Sequence, residues 1–219
     1  MLKVLGIIPA RFASTRFPGK PLVSIYGKSM IQRVYEQALQ SKILHKVIVA
    51  TEDKRIYDHV INFGGNAMMT HDRHQSGTER CGEVIEKLED KNEFFDVVVN
   101  IQGDEPYISP NHINKVCKIL IEDEDAEIGT LAKRITKEDE LFNENVVKLV
   151  MTEKEGKGEP RDALYFSRHP IPFVRGKGNN EWLNSAEYYK HIGIYAFNID
   201  EFHEIQEIEN SMLEKAESL

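Results

Sequence analysis

The stretch V-L-G-I-I-P-A-R-F-A-S-T-R-F-P-G-K-P, residues 4–21, contains a strand and the loop that leaves it. Its apolar run at 4–8 recurs in kind at 47–50 and 97–101. A strand covered on both faces needs no alternation of apolar and polar residues, so each run reads as an interior strand of a parallel sheet. Amphipathic segments separate them. Ser29 is placed to cap a helix over 30–40 in which Ile31, Val34, Tyr35 and Ala38 share one face. Asp53 or a neighbour opens a second over 55–63, stopped at Gly64-Gly65; residues 81–88 form a third; Pro110 or Asn111 opens a fourth that runs to about Glu122. Strand, helix, strand, helix, strand is the rhythm of a right-handed, doubly wound, mostly parallel α/β sheet.

After about residue 130 the rhythm changes. Residues 146–152 and 163–166 read as strands around a polar stretch, E-K-E-G-K-G-E-P-R-D, that suits a hairpin or an exposed loop. A second polar segment, R-G-K-G-N-N-E-W-L-N-S-A-E, precedes another strand at 188–197. These features predict a small antiparallel lobe added to the parallel sheet. The sequence closes on N-S-M-L-E-K-A-E-S-L, helical in pattern and without a cap or stop, and reads as cut at that end.

The 219 residues suffice for one domain with a sizeable core. With 36 acidic side chains against 28 Lys and Arg, the net charge of -8 disfavours nucleic acid and anionic membranes as partners. The two cysteines, Cys81 and Cys117, form no C-x-x-C and read as reduced thiols. The first apolar run is too short for a signal peptide or a membrane span, so the expectation is a cytoplasmic protein.

Against that acidic background, the loop after the first strand concentrates Arg11, Arg16 and Lys20 with Ser14, Thr15 and Gly19. In an open α/β sheet the ligand crevice lies beyond the carboxyl ends of the strands, where this loop begins. Three close cations repel one another unless an anion sits between them, and a triphosphate supplies oxygens for guanidinium and ammonium groups alike. The alternative is a solvated basic loop. No Walker A sequence and no complete G-x-G-x-x-G occurs, which removes the main support for ATPase and dinucleotide readings. N-I-Q-G-D-E-P, residues 100–106, follows the third apolar run and lies on the same crevice side. Asp104 is a natural hard-oxygen ligand for Mg²⁺, with Glu105 as the alternative and a turn-forming aspartate as the plain reading. Gln102, at the same strand end, could hydrogen-bond a ligand or be a structural amide on a strand. H-Q-S-G-T-E-R, residues 74–80, could present backbone N–H groups and hydroxyls at a helix start, or Ser76 or Thr78 could simply cap that helix. Arg168 ends a strand-like run, and His191 and Tyr195, four apart, share one face of an extended segment. They offer a cation and hydrogen-bonding groups to an acidic ligand.

The A-R-x-x-S-x-R-x-P-x-K pattern of 10–20 resembles the CTP loop of the CMP-sugar synthetases, of the nucleotide-diphospho-sugar transferase family, and within them the branch that activates 3-deoxy-manno-octulosonate (Kdo). The likeness extends in order through G-K-S-M-I at 27–31, I-V-A-T at 48–51, H-Q-S-G-T-E-R, N-I-Q-G-D-E-P, A-L-Y-F-S-R at 163–168 and H-I-G-I-Y at 191–195. UDP-sugar pyrophosphorylases carry a loop resembling G-x-G-T-R, absent here, so CTP is favoured. The resemblance implies one catalytic domain over 1–219, with about 1–130 binding the nucleotide and about 131–219 serving sugar binding and dimerisation. It implies attack of the sugar's anomeric hydroxyl on CTP, Mg²⁺ at Asp104, and a homodimer serving lipopolysaccharide synthesis. Arg11, Ser14, Arg16, Lys20, Ser76 and Arg80 would hold the nucleotide, with Arg11, Lys20 and Asp104 catalytic; Gln102, Arg168, His191 and Tyr195 would hold the sugar.

Family members continue with a Glu-Gln pair and a second metal-binding Asp, which this sequence does not reach. The expectation is weak metal binding and little turnover for this chain alone, and activity for a longer one. Two rivals stay open. One is CMP activation of another 2-keto sugar acid, 8-amino-Kdo or a sialic-type acid; the other is a nucleotide-binding module without catalysis.

Overall fold

The computed structural model describes residues 2–13, 17–74, 76–153, 160–209 and 211–217. The chain divides into two compact units, Met1–Gly129 with Ile194–Ile208, and Thr130–Gly193 with Glu209–Leu219. In the first unit the strands β1 (Val4–Pro9), β4 (Lys46–Thr51), β5 (Ala67–Met69) and β6 (Val97–Asn100) run parallel in the order β5-β4-β1-β6. A short hairpin of β2 (Ser24–Ile25) and β3 (Lys28–Ser29) follows β1. The helices between strands are α1 (Met30–Ala38), α2 (Lys54–Asn62), α3 (Gly77–Glu89) and α4 (Pro110–Glu122). This is the doubly wound, mostly parallel sheet that the apolar runs predict, and Val4, Leu5, Ile7 and Ile8 are fully buried because helices cover both faces.

Each long helix starts at a side-chain cap. Ser29, Asp53, Ser76 and Ser109 accept from backbone N–H groups of α1, α2, α3 and α4. Ser109, rather than Pro110 or Asn111, is therefore the cap of α4, with Pro110 in the first turn where its missing N–H costs nothing. α3 begins four residues earlier than 81 because Ser76 Oγ accepts Glu79 N–H at 3.0 Å. The S-G-T-E sequence is a capping-box pattern that announces that start. Along α3, Cys81, Val84, Ile85 and Leu88 pack on Leu5, Ile7 and Ile48 of the sheet. Burial pushes the Cys81 thiol upward and Cys117 to about 12. Neither should react with a thiol reagent in the native protein at neutral pH, and both should after denaturation; rapid native labelling of either would contradict their burial.

The second unit contains β7 (Ile128–Arg134) beyond its first two residues, α5 (Glu138–Leu141), β8 (Lys148–Met151), β9 (Ala163–Ser167) and α6 (Trp182–Ser185). β8 pairs antiparallel with β9 and with the start of β10 (Tyr189–Asn198). Its own core gathers Ile135, Leu141, Trp182 and Tyr188. Lys148 is fully buried, its ammonium donating to the carbonyls of Asn143, Val146 and Arg168.

One boundary departs from expectation. The chain after about 130 does not stay in the second unit: the Tyr195–Asn198 end of β10 pairs antiparallel with β6, and α7 (Ile199–Glu207) buries Phe202 beside Phe197 and Cys81. β10 pairs along the edge of β6 that β1 does not occupy, and Phe197 and Phe202 are buried in the cluster with Cys81, Val84 and Ile85 of α3. The polar segment before β10 forms the Asn179–Glu181 turn and α6 around the buried Trp182. α8 (Met212–Glu217) is the last described element. No helix among the described residues is long and apolar enough to cross a membrane.

Candidate active site

A cavity of about 520 Å³ opens where β1 and β6 end, in the first unit. Arg11, Lys20, Gln102 and Asp104 line it with Phe17 and Met30. Two glycines permit this geometry. At Gly103 a Cβ would lie 2.6 Å from the carbonyl oxygen of Pro9, so only glycine lets the loop after β6 cross the end of β1. Gly19 holds φ 72°, turning the chain into the short Lys20–Leu22 helix, and its N–H donates to Phe12 O at 2.9 Å. Gly103→Ala should therefore push the loop after β6 off the end of β1 and displace Asp104; a lowered melting temperature together with nucleotide affinity lowered about tenfold is expected, the scale of one ~1.4 kcal/mol contact. Unchanged affinity would show that the crossing tolerates a side chain.

Lys20 Nζ lies 2.7 Å from Asp104 Oδ2, with both side chains partly in solvent. An ion pair this exposed is worth about 0–1 kcal/mol, so either partner exchanges it readily for a phosphate or a cation. Arg11 donates through Nη2 to the carbonyl of His74, with the Ser76 carbonyl 3.5 Å away. The first strand's loop and the loop before α3 are thereby tied together. Ser76 spends its oxygen on the α3 cap and keeps its O–H as a donor. Ser14 and Arg16 lie outside the described residues.

The donor set can be tested for Mg²⁺. Asp104 is a cavity carboxylate, and among the described residues no group of three or more His, Cys, Asp or Glu converges to hold a metal alone. Mg²⁺ is ordinarily held by one or two carboxylates plus substrate phosphates and waters. The residues fit an ion that arrives with a triphosphate.

Arg80 departs from expectation. Its side chain is fully buried rather than lining the cavity, and its guanidinium meets Glu52 Oε2 at 3.0 Å, Thr70 Oγ1 and the His71 carbonyl. A guanidinium on the sheet-facing side of α3 must find a counter-charge inside, and Glu52, one residue past β4, provides it. Sequence reasoning passed over Glu52, although its place at a parallel strand's carboxyl end is the signal that singled out Arg11 and Asp104.

The remaining predicted residues lie elsewhere. In the second unit, Arg168 donates from its backbone to Glu217 at 3.0 Å and through Nη1 to the Glu144 carbonyl at 3.1 Å. His191 Nε2 lies 2.9 Å from Thr130 Oγ1, with its ring edge-on to Phe166. Burial holds His191 at about 4, so at neutral pH it is an uncharged hydrogen-bonding group. Its neutral form is favoured on folding. Stability is complete above the ordinary value of 6.5, falls as pH drops from there toward 4, and stops falling once both states are protonated. A titration of the His191 ring by NMR with a midpoint near 6.5 would contradict this environment. Tyr195, in the first unit, stacks on Phe197 against the core, and burial raises its phenol.

Comparison with known proteins matches residues 5–219 to the family model described as cytidylyltransferase. The chain belongs to the cytidylyltransferase family. A 3-deoxy-manno-octulosonate cytidylyltransferase of Parabacteroides distasonis is 48% identical across the whole of this chain and 84% of the relative. The protein of the same name from Cytophaga hutchinsonii is 45% identical over the whole chain and 83% of its own length. Among solved structures, a CMP:2-keto-3-deoxy-manno-octonic acid synthetase complexed with CTP superposes with a TM-score of 0.88 at 41% identity, over 99% of this chain and 83% of that one. The cavity lies at the strand ends, where an α/β sheet of this kind receives its ligand.

Proposed function

We propose that this chain joins CMP from CTP to the anomeric hydroxyl of 3-deoxy-manno-octulosonate, giving CMP-Kdo and pyrophosphate for lipopolysaccharide synthesis. The observation that carries the reading is the 48% identity, over the full chain, to a relative named for that reaction. In the reaction a bond forms between the sugar oxygen and the α-phosphorus, and the bond to the β-phosphate oxygen breaks. The hydroxyl proton passes to solvent, and pyrophosphate departs with the electron pair of the broken bond. Such chemistry is largely positioning and charge neutralisation.

Arg11 and Lys20, beside Arg16 in the same loop, hold the β- and γ-phosphates and stabilise the leaving pyrophosphate. Ser14 and the Ser76 hydroxyl complete the nucleotide's donors. Asp104 would hold the triphosphate's Mg²⁺ through its carboxylate, in exchange for its pair with Lys20. When bound, that ion neutralises phosphate charge and lowers the barrier to attack at phosphorus. Gln102 offers an amide to the sugar from the cavity wall. Arg168 is the cation for the sugar's carboxylate; His191, neutral, and Tyr195 supply hydrogen bonds.

The reading includes a homodimer and a cytoplasmic location. Resemblance supports the first, and a nucleoside triphosphate substrate with two unpaired buried thiols supports the second. Sedimentation should give twice 25.2 kDa; a monomer at micromolar concentration would remove the dimer. Selectivity is tested by pyrophosphate release with each of the four common NTPs against Kdo, 8-amino-Kdo and N-acetylneuraminate. Release should be fastest with CTP and Kdo; faster release with another acid would reassign the acceptor.

A further inference from the structure

Phe12 is the point at which the cationic loop is closed. Its carbonyl accepts the N–H of Gly19, and its ring lies so close under that glycine that a Cβ there would stand 3.1 Å from it. The Arg55 guanidinium, held on Asp53, covers the ring at 3.3 Å. The backbone N–H of Phe12 leaves this hub in another direction, donating to Glu52 Oε1 at 3.1 Å. Glu52 therefore places a carboxylate directly behind a loop whose task is to receive a highly charged anion.

That carboxylate would oppose the anion if it were alone. Its second oxygen faces Arg80 at ion-pair distance, although Arg80 Nη2 and Glu52 Oε2 are not aligned for a hydrogen bond. The Arg80 side chain is fully buried and Glu52 is 16% exposed, so water screens this pair little. Around them stand the other charges of the region. Arg11 adds a repulsive cation to Arg80, and Glu83 opposes it with a carboxylate held by His74, Lys87 and the His71 N–H. The Glu83 carboxyl feels burial first, which raises it, but these donors together hold it at about 2. The two guanidiniums, Arg80 and Arg11, are matched by the two carboxylates, Glu52 and Glu83, with Lys87 a further cation on Glu83.

We infer that Glu52, its charge cancelled by the buried Arg80, is the positioning residue of the cationic loop, and that Arg80 serves the nucleotide through Glu52 without touching it. This rests on the reading that the loop receives the triphosphate. It makes an unusual prediction: the damage from losing Arg80 is repaired by also losing the charge of Glu52.

The test compares wild type, Arg80→Met, Glu52→Gln and the double variant for CTP dissociation constant, sugar KM and melting temperature. Arg80→Met should weaken CTP by ~10- to 100-fold, the effect of an uncompensated carboxylate within several ångströms of a bound anion, while the KM for sugar changes little. The double variant should regain most of that loss. Equal weakening in Arg80→Met and in the double variant would overturn the inference, because Arg80 would then act on the nucleotide itself. Should the Arg80 variants fail to fold, Glu52→Ala decides by hydrogen exchange. The Phe12 amide should exchange at least about tenfold faster while the amides of β1 keep their protection; an unchanged Phe12 rate would overturn the brace. Wild-type protein that binds no CTP would fail the functional reading alone, and the Phe12 exchange rate would still judge the Glu52 contact.

Discussion

Asp104→Asn is expected to lower turnover by about 10²–10³-fold, the size of losing one preorganised electrostatic contact to the reacting centre, ~3–4 kcal/mol. The substitution keeps shape and one oxygen but removes the charge that draws a divalent cation to the phosphates. The fold should be indifferent. Asp104 is half exposed, and among the described residues its side chain is held by the 2.7 Å pair with Lys20, worth at most about 1 kcal/mol. The melting temperature and circular dichroism should therefore match wild type while kcat collapses. Near-wild-type kcat, measured by pyrophosphate release under saturating Mg²⁺, would take Asp104 out of the mechanism.

Lys20→Ala is the second large effect. Lys20 opens its short helix directly after the Gly19 turn, so its ammonium is delivered into the cavity by a fixed backbone. Charge grows on the bridging oxygen as pyrophosphate departs, and a cation in place stabilises that state more than bound CTP. The loss should thus fall on kcat more than on KM for CTP, by about 10²-fold or more. If KM alone rises and kcat stands, Lys20 merely binds the nucleotide. Because Lys20 and Asp104 pair before substrate arrives, the double variant should lose less than the product of the single losses.

Much of this was legible in the sequence because the physics is local. β1, β4 and β6 announce themselves by runs such as Val4 to Ile8, buried on both sides and too short for a buried helix. Arg11, Gln102 and Asp104 follow strand ends, Lys20 closes the loop that Arg11 opens, and all four meet in one cavity. β5 escaped notice since three residues of Ala-Met-Met carry no period, and β7 since its exposed I-G-T-L-A-K-R lacks alternation. The return of residues 194–208 to the first unit is a tertiary choice, in which β10 takes the open edge of β6 and Phe202 joins the core beside α3. Arg80 marks the sharper limit. A charge in an amphipathic helix reads the same whether it faces a ligand or a buried carboxylate, and Glu52, its partner, is remote in sequence. The same holds for His191, whose neutrality comes from burial that no motif encodes.

Phosphorus NMR of a single reaction with CTP, Kdo and Mg²⁺ follows the transfer of CMP to a 2-keto sugar acid. The prediction is a new phosphodiester resonance from CMP-Kdo growing in equal amount with pyrophosphate. CTP that stays intact, or pyrophosphate that appears with free CMP and no phosphodiester, would contradict it.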